Sequence, residues 1–263
     1  MGQIIRFPRM LKDCKMFSHR KLSANEVALT ACFTALYVVL GFLPISPIIG
    51  LPGKTITAAA IMAPIMGILL GPYIGTLSAV LGGVIGFSLG YFSPPSFVSG
   101  IFAAAYAGML YVGKRSVCIF TYFSLLFLFG FYPFVGPVWL YPPLMWFQIT
   151  GFLILVSPLQ SMASKNLNSS NKSKPLLAFF ITSLTSTLAG QIAGSLILEL
   201  LSWPIFIANV NAWKANWQLL TFLYPVERMI IALGAAFLGA SVHKVLRSAN
   251  IIPINLAKRE KTV

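Results

Sequence analysis

The sequence predicts an all-α, polytopic membrane protein, and three observations carry that prediction. Of 263 residues, 57% are hydrophobic and only 9% are charged, against roughly 25% charged in soluble domains. The apolar residues gather into segments long enough, at about 1.5 Å per residue, to cross a hydrocarbon layer of about 30 Å. The basic residues lie between those segments and alternate in density from one connection to the next.

Eight apolar segments follow in order: 24–42, 55–71, 73–91, 96–112, 117–134, 139–157, 176–199 and 222–243. A basic leader, 1–23, precedes the first and shows no cleavage pattern, so the first helix is expected to stay in the protein. Pro44, Pro47 and Pro52 interrupt the chain after span one. Gly71-Pro72 is expected to turn the second span into the third, and Pro94-Pro95 separate the third from the fourth. Pro142-Pro143 suit the opening turn of the sixth span, because proline lacks the N–H that a first helical turn leaves unused. Residues 117–157 read as an inserted pair of helices, 158–175 as a polar linker and 248–263 as a basic tail.

Charge placement orients this scheme. Sixteen Lys and Arg residues fall on one side: six in the leader, then Lys114, Arg115, Lys165, Lys172, Lys174, Lys244, Arg247, Lys258, Arg259 and Lys261. Only Lys54 and Lys214 fall opposite, with Arg228 at the last span. The imbalance predicts cytoplasmic termini in a cell membrane. It also assigns the net charge of +14 to orientation and lipid headgroups rather than to nucleic acid.

The stretch "LGPYIGTLSAVLGGVIGFSLG", residues 70–90, contains six glycines and no charge. In water each internal glycine costs a helix about 1 kcal/mol relative to alanine. In lipid, where the backbone has no unpaired alternative, glycine lets helices approach closely instead. Gly71, Gly75, Gly82, Gly86 and Gly90, with Gly190 and Gly194 in "STLAGQIAG", are therefore expected to be helix-packing positions.

Catalytic patterns are absent. The sequence has no GxSxG elbow, no HExxH pair and no aspartate cluster, which argues against an enzyme. Three scattered cysteines and two histidines beside basic clusters give neither a disulfide framework nor a metal site. The polar exceptions are "LYPVERM", with Glu227 and Arg228, and "IANVNAWKANWQLL", with Asn209, Asn211, Trp213, Trp217 and Gln218. Together with Gln191, these residues suit a small flat or heterocyclic solute held by aromatic faces and amides. A structural ion pair and an interfacial aromatic belt are the competing readings. Between spans one and two, "LPISPIIGLPGKT", with Leu51, Lys54 and Thr55, is read as a cap over the outer mouth or as a tight connector.

Residues 24–110 and 176–247 resemble the substrate-binding S components of energy-coupling factor (ECF) transporters. The resemblance rests on "ALTACFTALYVVLGFLP", "LPGKTITAAAIMAPIMGILLGP", "YIGTLSAVLGGVIGFSLG", "TLAGQIAGSLI" and "YPVERMIIALGAAFLGASVHKVLR". It implies a six-helix S-component-like core, here expanded to eight spans. It also implies a docking face on the first helix, Ala28, Ala31, Cys32 and Ala35, for a transmembrane coupling (T) subunit. Two partner ABC ATPases would hydrolyse the ATP, and the chain itself would capture a vitamin-like solute with no intrinsic cofactor. An ion-coupled secondary transporter is the main alternative. A non-catalytic assembly scaffold or an intramembrane enzyme ranks below it.

Overall fold

A computed structural model describes residues 23–51, 53–167, 173–205 and 207–249. Most of the expected basic leader, the tail from residue 250 and Lys172 lie outside the described residues. Helix α1, Ala24–Leu40, begins where its capping sequence places it. The Glu26 N–H donates to Ser23 Oγ at 3.2 Å, and Glu26 Oε2 accepts from the Ser23 N–H at 3.0 Å. This reciprocal box satisfies two otherwise unused donors of the first turn.

The connector after α1 folds as a two-stranded antiparallel hairpin, β1 (Pro44–Pro47) and β2 (Thr55–Thr57), pairing Pro44 with Thr57 and Pro47 with Thr55. Strand structure was not expected here. The prolines take positions in a short strand that needs few donors, which is where a sheet tolerates them.

Helix α2, Ala59–Ser88, is broken at Gly71, whose φ of 81° and ψ of 176° leave helical space. A Cβ added at Gly75 would lie 2.5 Å from the Met66 carbonyl oxygen. An unbroken helix separates residues nine apart by about 13 Å, so the limbs 59–70 and 72–88 fold back against each other. The Gly71-Pro72 turn read from the sequence is therefore present.

Six further helices and two short pieces follow among the described residues. They are α3 (Pro94–Val112), α4 (Arg115–Gly130), α5 (Pro137–Leu140), a 3₁₀ turn (Pro142–Met145), α6 (Trp146–Val156), α7 (Pro158–Asn166), α8 (Ser173–Ser202) and α9 (Val210–Ser248). Among the described residues, four helices are long and apolar enough by length and composition to cross a membrane: α2, counted across its Gly71 break, α3, α8 and α9. The segment Pro142–Val156 with α7, bent by 65°, makes a fifth if the pair is one span. Helices α1 and α4, at 17 and 16 residues, are apolar but shorter. The predicted span 139–157 is divided among α5, the 3₁₀ turn and α6, because Pro137, Pro142 and Pro143 each restart the chain. The chain is thus a largely α-helical multi-pass membrane protein.

Close contacts fix the helix directions. Gly190 and Gly194 of α8 sit against the Ser99 and Pro95 carbonyls of α3, where a Cβ would come within 2.5 and 2.9 Å. Gly239 of α9 packs on Phe179 of α8, and Thr34 Oγ1 of α1 donates to the Ser78 carbonyl at 3.3 Å. One end of the bundle therefore carries the start of α1, the Gly71 turn, the α3–α4 junction and the end of α9. The other carries the β-hairpin and residues 89–93, 203–205 and 207–209. Lys114, Arg115, Lys165, Lys174, Lys244 and Arg247 lie at the first end, while Lys54 and Lys214 lie at the second. Arg115 also closes the bend between α6 and α7, donating to the Leu155, Val156 and Ser157 carbonyls and to Ser161 Oγ.

Candidate functional site

Helix α8 is buried although it is rich in hydroxyls and amides: Thr182, Ser183, Thr185, Ser186, Thr187, Gln191, Ser195 and Glu199 are all buried. Hydroxyls on this helix can return their protons to its own carbonyls, as Thr187 Oγ1 does to Ser183 O at 2.8 Å. A glutamine or glutamate side chain is too long for that local solution, so its polar atoms must find partners elsewhere.

Gln191 faces a cavity of about 80 Å³ toward the hairpin end, walled by the limb 59–70, α3, α8 and α9. Small residues open it: Ala59, Ala60 and Ala63, then Ser96, Ser99, Gly100 and Ala103, then Gly194 and Ser195. Tyr37 and Phe92 supply aromatic surface, and Pro47, Ile48, Ile49, Ile56 and Thr57 of the hairpin roof it. The cavity is smaller than the roughly 300–1,000 Å³ common for small-molecule sites.

Two strongly polar side chains line this chamber. Gln191, 4% exposed, has no hydrogen-bond partner for either Oε1 or Nε2. Arg228, 5% exposed, has no partner for Nε. Its terminal nitrogen lies 3.7 Å from Glu227 Oε2, an ion pair longer than a hydrogen bond. Ser195 Oγ lies 3.4 Å from Tyr224 Oη across the α8–α9 seam. One turn along each antiparallel helix from that contact brings Gln191 level with Arg228. Glu227 points away from the chamber and accepts a hydrogen bond from Ser46 Oγ of the hairpin. A buried amide without a partner costs about 1–3 kcal/mol, so this arrangement stores a demand for a polar guest.

No family model, no curated protein and no solved structure matches this chain. The site therefore rests on its own geometry.

The residues expected to bind solute are divided by that geometry. Gln191 and Arg228 line the chamber, with Glu227 directly behind Arg228. Trp213 and Trp217 do not line it. They are buried in a second apolar cluster, where their indole N–H groups donate to Ile207 O at 2.9 Å and Val135 O at 2.8 Å. Asn209 caps α9 by accepting from the Asn211 N–H at 2.9 Å, while Asn211 and Gln218 are exposed. These amides and indoles stay close in sequence but face outward or into the core, because α9 begins at Val210 and turns them around its axis.

In the cap, Lys54 Nζ donates to Gly90 O at 2.5 Å, Thr55 pairs with Pro47, and Leu51 packs against the second cluster. Among the predicted packing glycines, Gly75, Gly82 and Gly86 meet three different neighbours: Met66, Tyr37, and Phe92 with Tyr91. Gly90 has nothing within 4 Å, and its φ of 81° marks a turn position. Ala28, Ala31, Cys32 and Ala35 are all exposed along α1. Among the described residues, no group of His, Cys, Asp and Glu could hold a metal ion.

Sequence reading passed over Ser46, the small-residue walls and Glu199. Glu199 is fully buried on α8, and neither carboxylate oxygen has a partner. The available signal was its position eight residues, about two turns, beyond Gln191 in an otherwise apolar segment.

Proposed function

We propose that this protein captures a small vitamin-like solute as the membrane-embedded S component of an ECF-type importer. One observation carries the reading: a chamber inside the bundle presents the unpartnered polar atoms of Gln191 and Arg228 beneath a hairpin tied to Glu227. Polar groups without partners are expensive in a membrane interior and mark a functional path or site. The hairpin is the lid, and lifting it breaks the Ser46–Glu227 bond and widens the chamber for a solute.

The exposed small-residue face of α1 supports docking to a coupling subunit, because small side chains let a second helix approach closely. In this reading α4, α5 and α6 are additions around an S-component-like core, and the basic end of the bundle faces the cytoplasm. Two partner ATPases supply the ATP hydrolysis, and the chain itself performs no catalysis.

Glu199 favours a second reading, ion-coupled secondary transport. A buried carboxyl without a partner is the kind of group that carries a proton or counter-ion across a bilayer.

The experiment is uptake into proteoliposomes, with and without co-purified coupling and ATPase subunits. The S-component reading expects uptake that requires those subunits and ATP. Uptake driven by an ion gradient with this polypeptide alone would replace it with the second reading.

A further inference from the structure

The chamber also defines the chemistry of its guest, an inference that rests on reading it as a solute site. We infer that the solute is electrically neutral and carries a cis-amide-type edge, such as a lactam, cyclic urea, imide or primary carboxamide, that pairs with Gln191.

Gln191 offers one acceptor oxygen and one donor nitrogen side by side, and neither has a partner in the protein. A guest edge with an adjacent donor and acceptor satisfies both at once. A carboxylate offers acceptors only, which would pair Nε2 and set its lone pairs against Oε1. A cation offers donors only and leaves Nε2 unpaired. Arg228 Nε adds a second donor at the same level and takes a carbonyl or ring acceptor on the guest.

Charge balance gives the same answer independently. The Arg228 charge is already offset by Glu227 at 3.7 Å, and Glu227 in turn holds Ser46. An anionic guest would add net negative charge beside the buried carboxyl group of Glu227. A cationic guest would face the guanidinium, which lines the chamber, while the carboxylate of Glu227 does not. A neutral guest leaves the balance intact and avoids the desolvation penalty of a buried ion. The walls suit such a molecule once the hairpin lifts: Tyr37 and Phe92 offer aromatic surface, and the alanines and Gly100 are small enough to admit a thin plane.

The test uses the full chain in detergent and calorimetric or saturation-transfer measurement with small probes at millimolar concentration. Nicotinamide, uracil and 2-imidazolidinone are the neutral amide-edged probes; nicotinate and benzamidinium are their charged counterparts. At least one neutral probe is expected to bind at least about tenfold tighter than either charged probe, the scale set by one desolvated hydrogen-bonding group. Gln191→Met, which keeps the volume, and Gln191→Glu, which keeps the shape, should each weaken that binding by about tenfold or more. Using two variants keeps the test decisive if one fails to fold.

Equal or tighter binding of a charged probe overturns the inference. So does unchanged neutral-probe binding in a folded Gln191 variant, or the failure of all three neutral probes to bind. Failure of the importer reading shows itself differently: probe binding would persist while ATP-dependent uptake with the partner subunits was absent.

Discussion

At the scale of single residues, the decisive feature is which polar atoms lack partners. Glu227 and Arg228 are adjacent in sequence yet do different work: one holds the hairpin through Ser46, the other faces the chamber. Arg228→Gln should therefore weaken binding of a retained solute by about tenfold or more, since it removes a buried charged donor. Glu227→Gln should chiefly speed solute loss by loosening the lid. Thermal unfolding and direct binding of the folded variants separate these outcomes, and near-wild-type binding and release in both would remove the pair from recognition. The glycines divide in the same way. A Cβ at Gly82 would meet Tyr37 Cδ1 at 2.7 Å, so Gly82→Leu should cost about 1–3 kcal/mol of stability through overpacking. The thermal midpoint and folded yield should fall before solute choice changes, and a fully stable Gly82→Leu would contradict the packing role.

At the scale of elements, the hairpin and α1 are the parts whose two sides do different jobs. Helix α1 buries Phe33, Thr34 and Tyr37 against the bundle and leaves Ala28, Ala31, Cys32 and Ala35 facing outward. If that face docks a coupling subunit, Ala31→Leu or Ala35→Leu should preserve solute binding while recovery of the multi-subunit complex falls severalfold. Complex recovery at the wild-type level would remove docking from this face. Much at this scale was legible in the sequence. Gly71-Pro72 announces the turn inside α2, and the Gly190–Gly194 pair announces a close helix approach, whose partner is α3. The hairpin was not legible as strand, because three prolines in a short apolar run read equally as an irregular loop. Nor was the division of 137–156, where apolar composition continues unbroken across restarts set by Pro137, Pro142 and Pro143. Composition reports the solvent a segment prefers, whereas proline position decides where a helix can run.

At the scale of the whole molecule, charge and cavity give the bundle two unlike ends. Lys and Arg gather where α1 begins and α9 finishes, while the chamber opens toward the hairpin. With native cysteines replaced, Lys214→Cys should react with an impermeant thiol reagent from outside the cell, and Ser248→Cys only after lysis. The reverse pattern would invert the orientation. The sequence groups Gln191 and Arg228, which line the chamber, with Trp213, Trp217 and the neighbouring amides, which do not. Proximity along the chain does not decide which way a side chain faces on α9. Trp217 packs α9 against Phe129 and Val135, and Trp213 packs on Trp217. The central claim is that the chamber holds a solute. Its most direct measurement is native mass spectrometry of the gently purified full chain beside Gln191→Met, with both first matched for thermal midpoint. One bound small molecule per wild-type chain is expected, with loss of that mass in the variant. Equal retention by both proteins, or a wild-type chain that retains no small molecule, would contradict it.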